Sequence, residues 1–403
     1  MSYDPRQILT QAGKDIAVEE VPLRQIADQF GTPCYVYSAQ ALRAQYHQLA
    51  AALNPLKSRI HYSVKANSNL GILTLFKELG AGFDIVSGGE LSRVLAIGGN
   101  PRDVIFSGVG KSIAEIDLAL KVGVGCFNVE SRSELERIQQ RAELAQKVAP
   151  ISVRVNPDID ANTHPYISTG LKDNKFGVDA ETALTLYSMA AKTNALSIEG
   201  IDCHIGSQIA RTEPLLEALN SILNLVDTLS SSGIELQHVN LGGGFGVRYQ
   251  DEHPLDLNAY GAQLHELLGP RQLPLRLEPG RSLTANAGLL LTQVEYLKPG
   301  QDDATGFVIV DAAMNDLIRP SLYDAWHDIV VVDGYSADDP VQQLDVVGPI
   351  CESGDFLAKG RSLQVGEDSL LAVLSAGAYG MCLASNYNSR GRAAEVLVDG
   401  ATV

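Results

Sequence analysis

Three short segments of the chain carry residue types that could do chemistry. Lys65 directly follows the apolar run at residues 60–64. Partial desolvation there would lower the pKa of its amine and make it nucleophilic. The adjacent glycines at residues 242–244 would let backbone N–H groups approach an anion closely, and Glu278 and Arg281 add an acid and a phosphate-binding cation. Together these segments predict a phosphorylated ligand and a lysine that forms a Schiff base.

Each of these features also has an ordinary structural interpretation. The glycine run could be a tight turn, and most lysines are solvated surface charges. The run is not a dinucleotide fingerprint, because Val247 stands where the third glycine of that motif is required. The elements that carry the segments therefore decide between the two interpretations.

Short apolar runs alternate with amphipathic stretches through the first two thirds of the chain. Two of these stretches, residues 133–149 and 215–233, have apolar residues at helical spacing. Eight strand-helix units predict a parallel (β/α)8 barrel, with an open doubly wound sheet as the alternative. In such a barrel the loops after strands seven and eight often bind phosphate, and the glycine run and Glu278 follow those strands. The eight candidate strands begin at residues 60, 82, 104, 126, 151, 200, 238 and 275.

After Arg281 the pattern changes to short apolar strands with few helical stretches. The run at residues 33–37 has no obvious place in a barrel and is expected to join these strands. The sequence therefore predicts an α/β plus all-β protein. A (β/α)8 barrel would occupy residues 38–282, and an antiparallel β-barrel or sandwich would be built from residues 1–37 and 283–403.

Composition excludes several classes of protein. Among the 403 residues, 31 Lys and Arg face 48 Asp and Glu, and a net charge of −17 disfavours nucleic acid and anionic membranes as partners. Asp4 and Arg6 interrupt any secretory signal at the N-terminus, so a cytoplasmic location is expected. Five cysteines without a CxxC pair predict free thiols and no structural metal.

A nucleophilic lysine, a phosphate cradle and a carboxylate at one barrel mouth are the groups that pyridoxal 5'-phosphate requires. From about residue 9 to the C-terminus, the sequence resembles the diaminopimelate decarboxylases. These are pyridoxal-phosphate enzymes of the alanine-racemase-like fold (fold type III). Ser63 and Gly391 are small departures from the family pattern. The motifs that carry the resemblance are HYSVKAN, GFDIVSGGEL, THPYISTGLKDNKFG, CHIGSQ, NLGGGFG, EPGRS, MNDLIRPSLYDAWH, GPICESGD and GAYGMCLASNYNSR.

The resemblance implies a role for several residues toward the cofactor. Lys65 would attach it covalently, and His204 would stack on its ring. Glu278 would pair with the ring nitrogen and keep it protonated, which favours decarboxylation over racemisation. The residues implied to hold the phosphate are Ser207, Gly243, Gly244, Tyr379 and the backbone of Glu278, Pro279, Gly280 and Arg281.

The resemblance also implies how the far end of the substrate is bound. Arg281, Arg319 and Tyr323 would hold the distal carboxylate, and Glu352 would bind the distal ammonium. Cys351 would return a proton to the reacting carbon, and Tyr379 would touch substrate as well as phosphate.

Other interpretations of some of these residues stay open. Cys351 could be an inert core thiol, His204 a satisfied core histidine and Tyr323 a surface aromatic residue. A further group follows strand ends and is given no fixed role: Asp84, Arg154, Asn156 and His164.

The implied function is decarboxylation of meso-2,6-diaminopimelate to L-lysine and carbon dioxide, the final step of lysine biosynthesis. In relatives the segment that holds Cys351 reaches the site of the partner subunit, so the implied active unit is a homodimer. One alternative is a sister decarboxylase for arginine, ornithine or a carboxylated polyamine. A substrate without a second carboxylate would leave Arg281 and Arg319 unpaired. A second alternative is a non-catalytic carrier of the cofactor, which the additional β domain disfavours.

Overall fold

A computed structural model describes residues 4–13, 15–54, 56–159, 174–300, 305–335 and 340–403. The chain forms two compact units. The barrel unit comprises Tyr46–Gly246 and Pro254–Ser282, and the β unit comprises Met1–Gln45, Val247–His253 and Leu283–Val403.

In chain order, the strands are β1 (Leu9–Ala12), β2 (Asp15–Val18), β3 (Val21–Pro22), β4 (Cys34–Ser38), β5 (Ser58–Ser63), β6 (Gly82–Ile85), β7 (Val104–Phe106), β8 (Cys126–Val129), β9 (Ala149–Arg154), β10 (Leu196–Asp202), β11 (His238–Asn240), β12 (Leu275–Leu277), β13 (Gly288–Lys298), β14 (Gly306–Val310), β15 (Ile329–Asp333), β16 (Val341–Val347), β17 (Phe356–Gln364), β18 (Leu370–Val373) and β19 (Ala394–Val398). The helices are α1 (Leu23–Phe30), α2 (Ala39–Ala52), α3 (Leu70–Glu78), α4 (Gly88–Ala96), α5 (Ile113–Val122), α6 (Arg132–Leu144), α7 (Ala180–Ala190), α8 (Thr212–Ser231), α9 (Leu257–Leu268), α10 (Arg281–Thr284) and α11 (Arg319–Tyr323).

Strands β5 to β12 form a closed parallel barrel in sequence order, and a helix follows each strand. Closure rests on the pairing of β12 with β5, in which Leu277 lies opposite Ile60. The predicted (β/α)8 barrel is confirmed and the open-sheet alternative is wrong, because an open sheet has no pairing between its first and last strands.

Local sequence signals set where the barrel helices begin and end. Helix α5 starts with a capping box between Ser112 and Glu115 and ends at Gly123, which adopts the left-handed conformation. Ser87 and Ser131 cap the N-termini of α4 and α6 with their side chains alone, each accepting a backbone N–H. The three serines thus end the loops that follow the carboxyl ends of β6, β7 and β8.

At the carboxyl ends of the strands, the interior of the barrel is lined by polar side chains. Branched aliphatic residues usually fill the interior of such a barrel. Contacts join these side chains: Ser63 donates to Asp84, and Asn128 reaches across to Glu278. The buried polar residues at or just after the carboxyl ends of the strands are Ser63, Asp84, Asn128, Arg154, Asp202, Asn240 and Glu278. A polar layer at this end of a barrel marks a site for chemistry.

The β unit contains a mixed eight-stranded sheet and a small antiparallel sheet of β1, β2 and β3. The main path runs β15-β18-β13-β14-β16-β17, and β4 pairs with both β13 and β19. Most pairings are antiparallel, whereas β14–β16 and β4–β19 are parallel. The run at residues 33–37, expected to join the β domain, thus contributes β4. Strand β17 of the β unit was not among the predicted strands.

Among the described residues, no helix is long and apolar enough to cross a bilayer. Within the same ranges, no three His, Cys, Asp or Glu side chains group closely enough to hold a metal ion. All five cysteines are free: Cys34, Cys126 and Cys203 are buried, and Cys351 and Cys382 are exposed.

Candidate active site

Lys65 lies at the carboxyl end of the barrel, in a short 3-10 turn (Val64–Ala66) that directly follows β5. Its Nζ is 3.1 Å from Oδ2 of Asp84, and that oxygen also accepts a hydrogen bond of 2.8 Å from the Ser63 hydroxyl. The Asp84 side chain is fully buried, whereas that of Lys65 is 40% exposed. Asp84 therefore anchors an amine that an incoming molecule can still reach.

The glycine run forms a turn after β11 that only glycine could occupy. Gly242 and Gly244 adopt positive φ angles of 62° and 87°. A Cβ at Gly243 would collide with the backbone carbonyl of Glu278, and one at Gly244 with the carbonyl of Gly206. The turn is thus packed closely against the backbone of two neighbouring loops. Two of its amides donate to side chains, that of Gly242 to Asn240 and that of Gly243 to His204.

The loop after β12 lies against the turn that carries Lys65. The Pro279 carbonyl accepts the backbone N–H of Ser63 at 3.0 Å. A Cβ at Gly280 would stand 2.9 Å from the Cβ of Ala66, so no larger residue fits there without movement. Arg281 follows, and its guanidinium Nη2 donates to the Ser207 hydroxyl at 3.3 Å. A cation, a hydroxyl and the glycine turns thus belong to the same set of loops.

Glu278 is buried, with 8% of its surface exposed, and the two oxygens of its carboxyl group have different surroundings. Its Oε1 accepts hydrogen bonds from the side-chain amides of Asn240 at 2.5 Å and Asn128 at 3.5 Å. Within the described part of the chain, Oε2 has no hydrogen-bond partner. Burial raises the pKa of Glu278 well above its usual value, and the nearby carboxylates of Asp84 and Asp202 raise it further. Such a carboxyl needs a cationic donor at Oε2 to be stable in its ionised form.

His204 follows β10 and is oriented by the glycine turn. Its Nδ1 accepts the backbone N–H of Gly243 at 3.3 Å. Burial lowers the pKa of His204 well below the usual value, and the positive charges of Arg154 and Lys65 lower it further. The ring is therefore neutral near pH 7, which suits stacking on a flat ligand.

The residues that sequence analysis left without a role have different surroundings. Asp84 contacts Lys65, whereas Arg154 pairs with Glu130 at 3.4 Å and lies 3.9 Å from Asp202. The amide of Asn156 donates to the Phe176 carbonyl. His164 lies outside the described residues.

Sequence analysis missed the two asparagines that hold Glu278. Asn240 stands two residues before Gly242, on the same face of β11 as the buried His238, and Asn128 lies on β8. A signal for Asn240 was present, because a buried asparagine just before a glycine run is well placed to bond a turn amide. No local signal joined either asparagine to Glu278, which directly follows β12.

The β unit carries five other residues of the expected site. Arg319 and Tyr323 are the first and last residues of α11. Arg319 is 7% exposed, its guanidinium stacks 4.6 Å from the centre of the Tyr249 ring, and its Nη1 is 3.3 Å from Nε2 of His327. Tyr323 is partly exposed. Packing therefore holds the guanidinium of Arg319 in a fixed orientation.

Cys351 and Glu352 lie in an exposed loop between β16 and β17. The backbone N–H of Cys351 donates to Oδ1 of Asn388 at 2.9 Å, and the Tyr387 hydroxyl donates to Oε2 of Glu352 at 3.1 Å. Because Cys351 is exposed, the alternative of a core thiol at this position is wrong. The fifth residue, Tyr379, has a positive φ of 55° and is partly exposed.

Comparison with known proteins agrees with this geometry. The family described as "Pyridoxal-dependent decarboxylase, pyridoxal binding domain" matches residues 39–285. A curated diaminopimelate decarboxylase from Pseudomonas aeruginosa is 57% identical over 387 residues, which are 96% of this chain and 92% of that protein. The chain belongs to the diaminopimelate decarboxylase family.

Solved structures of the diaminopimelate decarboxylase family have the same fold. The Helicobacter pylori enzyme complexed with L-lysine is 41% identical with a TM-score of 0.89, and the match covers 93% of this chain and 94% of that one. The M. jannaschii enzyme in co-complex with L-lysine is 34% identical with a TM-score of 0.91, covering 99% and 94%. A lysine/ornithine decarboxylase from Vibrio vulnificus, 23% identical with a TM-score of 0.81, shares the fold.

Members of the diaminopimelate decarboxylase family are carboxy-lyases that use pyridoxal 5'-phosphate, and the barrel residues fit that cofactor. Among the described residues none donates a hydrogen bond to Oε2 of Glu278, which suits a protonated ring nitrogen, and the turn at Gly243 and Gly244 excludes any Cβ from a phosphate cradle. Lys65 supplies an accessible amine. The predicted enzyme class and cofactor are therefore confirmed.

Proposed function

We propose that this chain decarboxylates meso-2,6-diaminopimelate to L-lysine and carbon dioxide, as the final step of lysine biosynthesis. The observation that carries the proposal is Glu278, a buried carboxyl in the barrel of a chain 57% identical to a diaminopimelate decarboxylase. A carboxylate at the position of Glu278 would hold a proton on the ring nitrogen, and this would strengthen the electron sink that decarboxylation needs.

Different residues would bind different parts of the cofactor. Lys65 would hold it through its amine, Glu278 would keep the proton on the ring nitrogen, and His204 would support one face of the ring. Bound pyridoxal 5'-phosphate supplies the electron sink for decarboxylation. The phosphate would be held by Ser207, Gly243, Gly244, Pro279, Gly280, Arg281 and Tyr379.

A further set of residues would bind and select the substrate. Arg281, Arg319 and Tyr323 would bind the distal carboxylate, for which a fixed planar guanidinium is well suited. Glu352 would bind the distal ammonium, and Tyr379 would contact the substrate. Cys351 would return a proton to the reacting carbon. The exposure of Cys351 and Glu352 supports these roles, since both can reach a ligand.

We also propose that the active form is a cytoplasmic homodimer in which the loop of Cys351 completes the site of the partner subunit. The proposal predicts subunit complementation. Lys65→Ala and Cys351→Ala, each inactive alone, should recover about a quarter of the wild-type activity when co-expressed, because half of the dimers are mixed and each has one intact site. Mixed dimers without activity, or a monomeric active form in light scattering, would contradict it.

The main test measures carbon dioxide release and lysine formation by the cofactor-loaded protein. Meso-diaminopimelate, L-ornithine and L-arginine are offered in parallel, and Lys65→Ala is the inactive control. Lys77→Ala is the matched variant, because that amine bonds the Ile97 carbonyl after α4. Lysine from meso-diaminopimelate alone supports the proposal. Activity on ornithine or arginine alone would instead make the chain a sister decarboxylase.

A further inference from the structure

Asn240 connects the two halves of the cofactor site. It ends β11, is fully buried, and has a partner for each atom of its amide. Oδ1 accepts the backbone N–H of Gly242 at 2.9 Å, and Nδ2 donates to Oε1 of Glu278 at 2.5 Å. One side chain therefore touches both the glycine turn and the acid.

The two partners fix which way the amide faces. The N–H of Gly242 can only donate, so the Asn240 oxygen must face it, and the amide nitrogen must then face Glu278. A flipped amide would set donor against donor at Gly242. The backbone of Glu278 strengthens the link, because its N–H donates to the Gly242 carbonyl at 2.6 Å.

We propose that Asn240 is a positioning residue for the decarboxylation: its amide nitrogen holds Glu278 with Oε2 directed toward the ring nitrogen, while its oxygen holds the glycine turn in the shape that accepts phosphate. The proposal rests on the proposed function for the identity of the ligand, and on the two hydrogen bonds for the role of Asn240. The cofactor needs an amine, a phosphate cradle and a carboxylate, and none of these three requirements calls for an asparagine at this position.

The charges around Glu278 explain why a neutral donor matters there. Asp84 on β6 and Asp202 on β10 disfavour the ionised carboxyl, as burial does, and Lys65 after β5 favours it. The bond from Asn240 also favours the ionised form and lowers the pKa of Glu278. Loss of this bond should therefore move ionisation of Glu278 to higher pH.

Two substitutions separate the two contacts. Asn240→Asp keeps an oxygen for Gly242 but removes the donor to Glu278, whereas Asn240→Leu has a similar shape and removes both contacts. Both should lower kcat by about tenfold to a hundredfold, the range expected for a hydrogen bond to a charged group, with KM changed by less than about threefold. In both, the acid limb of the pH profile of kcat should shift upward.

Two further measurements do not depend on turnover. The pH titration of the absorbance of the bound cofactor should shift upward in both variants. The dissociation constant of pyridoxal 5'-phosphate should rise about tenfold or more in Asn240→Leu, which loses the turn contact, and much less in Asn240→Asp. This split is the signature of two separate contacts.

Asn286→Asp is the matched control for the general effect of a buried charge. Asn286 is a buried asparagine of the β unit whose amide donates to the Arg248 carbonyl and the Ser375 hydroxyl. Asn286→Asp should lower the melting temperature as much as Asn240→Asp does, without shifting the pH titration of the cofactor absorbance. A purely structural role for Asn240 would make the two variants alike.

The inference is overturned if Asn240→Asp keeps the wild-type absorbance titration and kcat, or if both Asn240 variants bind the cofactor equally well. Failure of the proposed function gives a different result. Wild-type protein would then bind the cofactor and release no carbon dioxide from meso-diaminopimelate, while the absorbance titrations of the variants would still report on Asn240.

Discussion

Replacing Glu278 with glutamine tests the chemistry of the site with little change of shape. Asn240 and Asn128 both present N–H donors to Oε1 of Glu278. In Glu278→Gln these donors require the new side-chain oxygen at that position, so the NH2 group takes the place of Oε2. The protonated ring nitrogen of the cofactor would then meet a donor where the wild-type protein offers a carboxylate.

The expected loss follows from this mismatch. A hydrogen bond to a charged group contributes about 1.5–3 kcal/mol, which corresponds to roughly tenfold to 150-fold in rate if it acts in the transition state. We expect kcat for meso-diaminopimelate to fall within or beyond this range, because the mismatch also repels the ring proton. Steady-state carbon dioxide release and the absorbance of the bound cofactor measure the effect. A kcat within twofold of wild type would refute the assignment of Glu278.

The same substitution has a predicted effect on stability in the cofactor-free protein. A carboxyl whose folded pKa is raised disfavours folding above its unfolded pKa, and the penalty grows until the pH passes the folded pKa. Glutamine does not titrate. The free energy of unfolding of Glu278→Gln at pH 7 should therefore equal or exceed that of wild type, and a less stable variant would contradict the burial argument.

Three further predictions concern other parts of the chain. Gly244→Ala places a Cβ against the Gly206 carbonyl at a φ of 87°, so unfolding free energy should fall by about 2–4 kcal/mol and cofactor affinity should drop, as measured by denaturation and titration. Burial, with the charge of Arg276, lowers the pKa of His238 to about 3. Below about pH 6.5 the unfolded chain binds a proton at His238, whereas the folded chain binds it only below about pH 3. The free energy of unfolding therefore decreases as the pH falls from about 6.5 to about 3. Between pH 7 and pH 4, the free energy of unfolding of His238→Gln should therefore fall by about 3 kcal/mol less than that of wild type, as measured by urea unfolding. Cys351→Ala should lower kcat by about a hundredfold or more, if the thiol delivers the proton.

Each of these variants has a control or a contradicting result. Gly233 has a similar φ of 82°, and no described residue has an atom within 4 Å of its Cβ position, so Gly233→Ala should show only the backbone strain of about 1–2 kcal/mol. Equal losses at the two glycines would refute the collision. An unchanged acid dependence in His238→Gln would show that another group titrates. Cys382→Ala, the other exposed cysteine, should keep wild-type turnover, and near-normal turnover in Cys351→Ala would remove that residue from the mechanism.

The sequence predicted the barrel strands well because each is a short, continuous apolar run between turn residues. It missed β17 because charged and polar residues, among them Lys359 and Arg361, interrupt its apolar pattern. That strand gains its stability from pairing with β16 along most of its length. Such a pairing is a non-local property, so a local pattern cannot report it.

The sequence by itself determined which residues of the barrel could do chemistry. Lys65, the glycine run and Glu278 each follow an apolar strand, and in a parallel barrel the carboxyl ends of all strands meet at one mouth. Their types and spacing were therefore enough to predict the cofactor.

Only the tertiary structure decided the state of those residues. Closure of the barrel brings Asn128 and Asn240 to one oxygen of Glu278, 150 and 38 residues away along the chain, and buries that carboxyl near Asp84 and Asp202. The raised pKa of Glu278 follows from burial and neighbouring charges. These are properties of packing in three dimensions, and no segment of the sequence contains them.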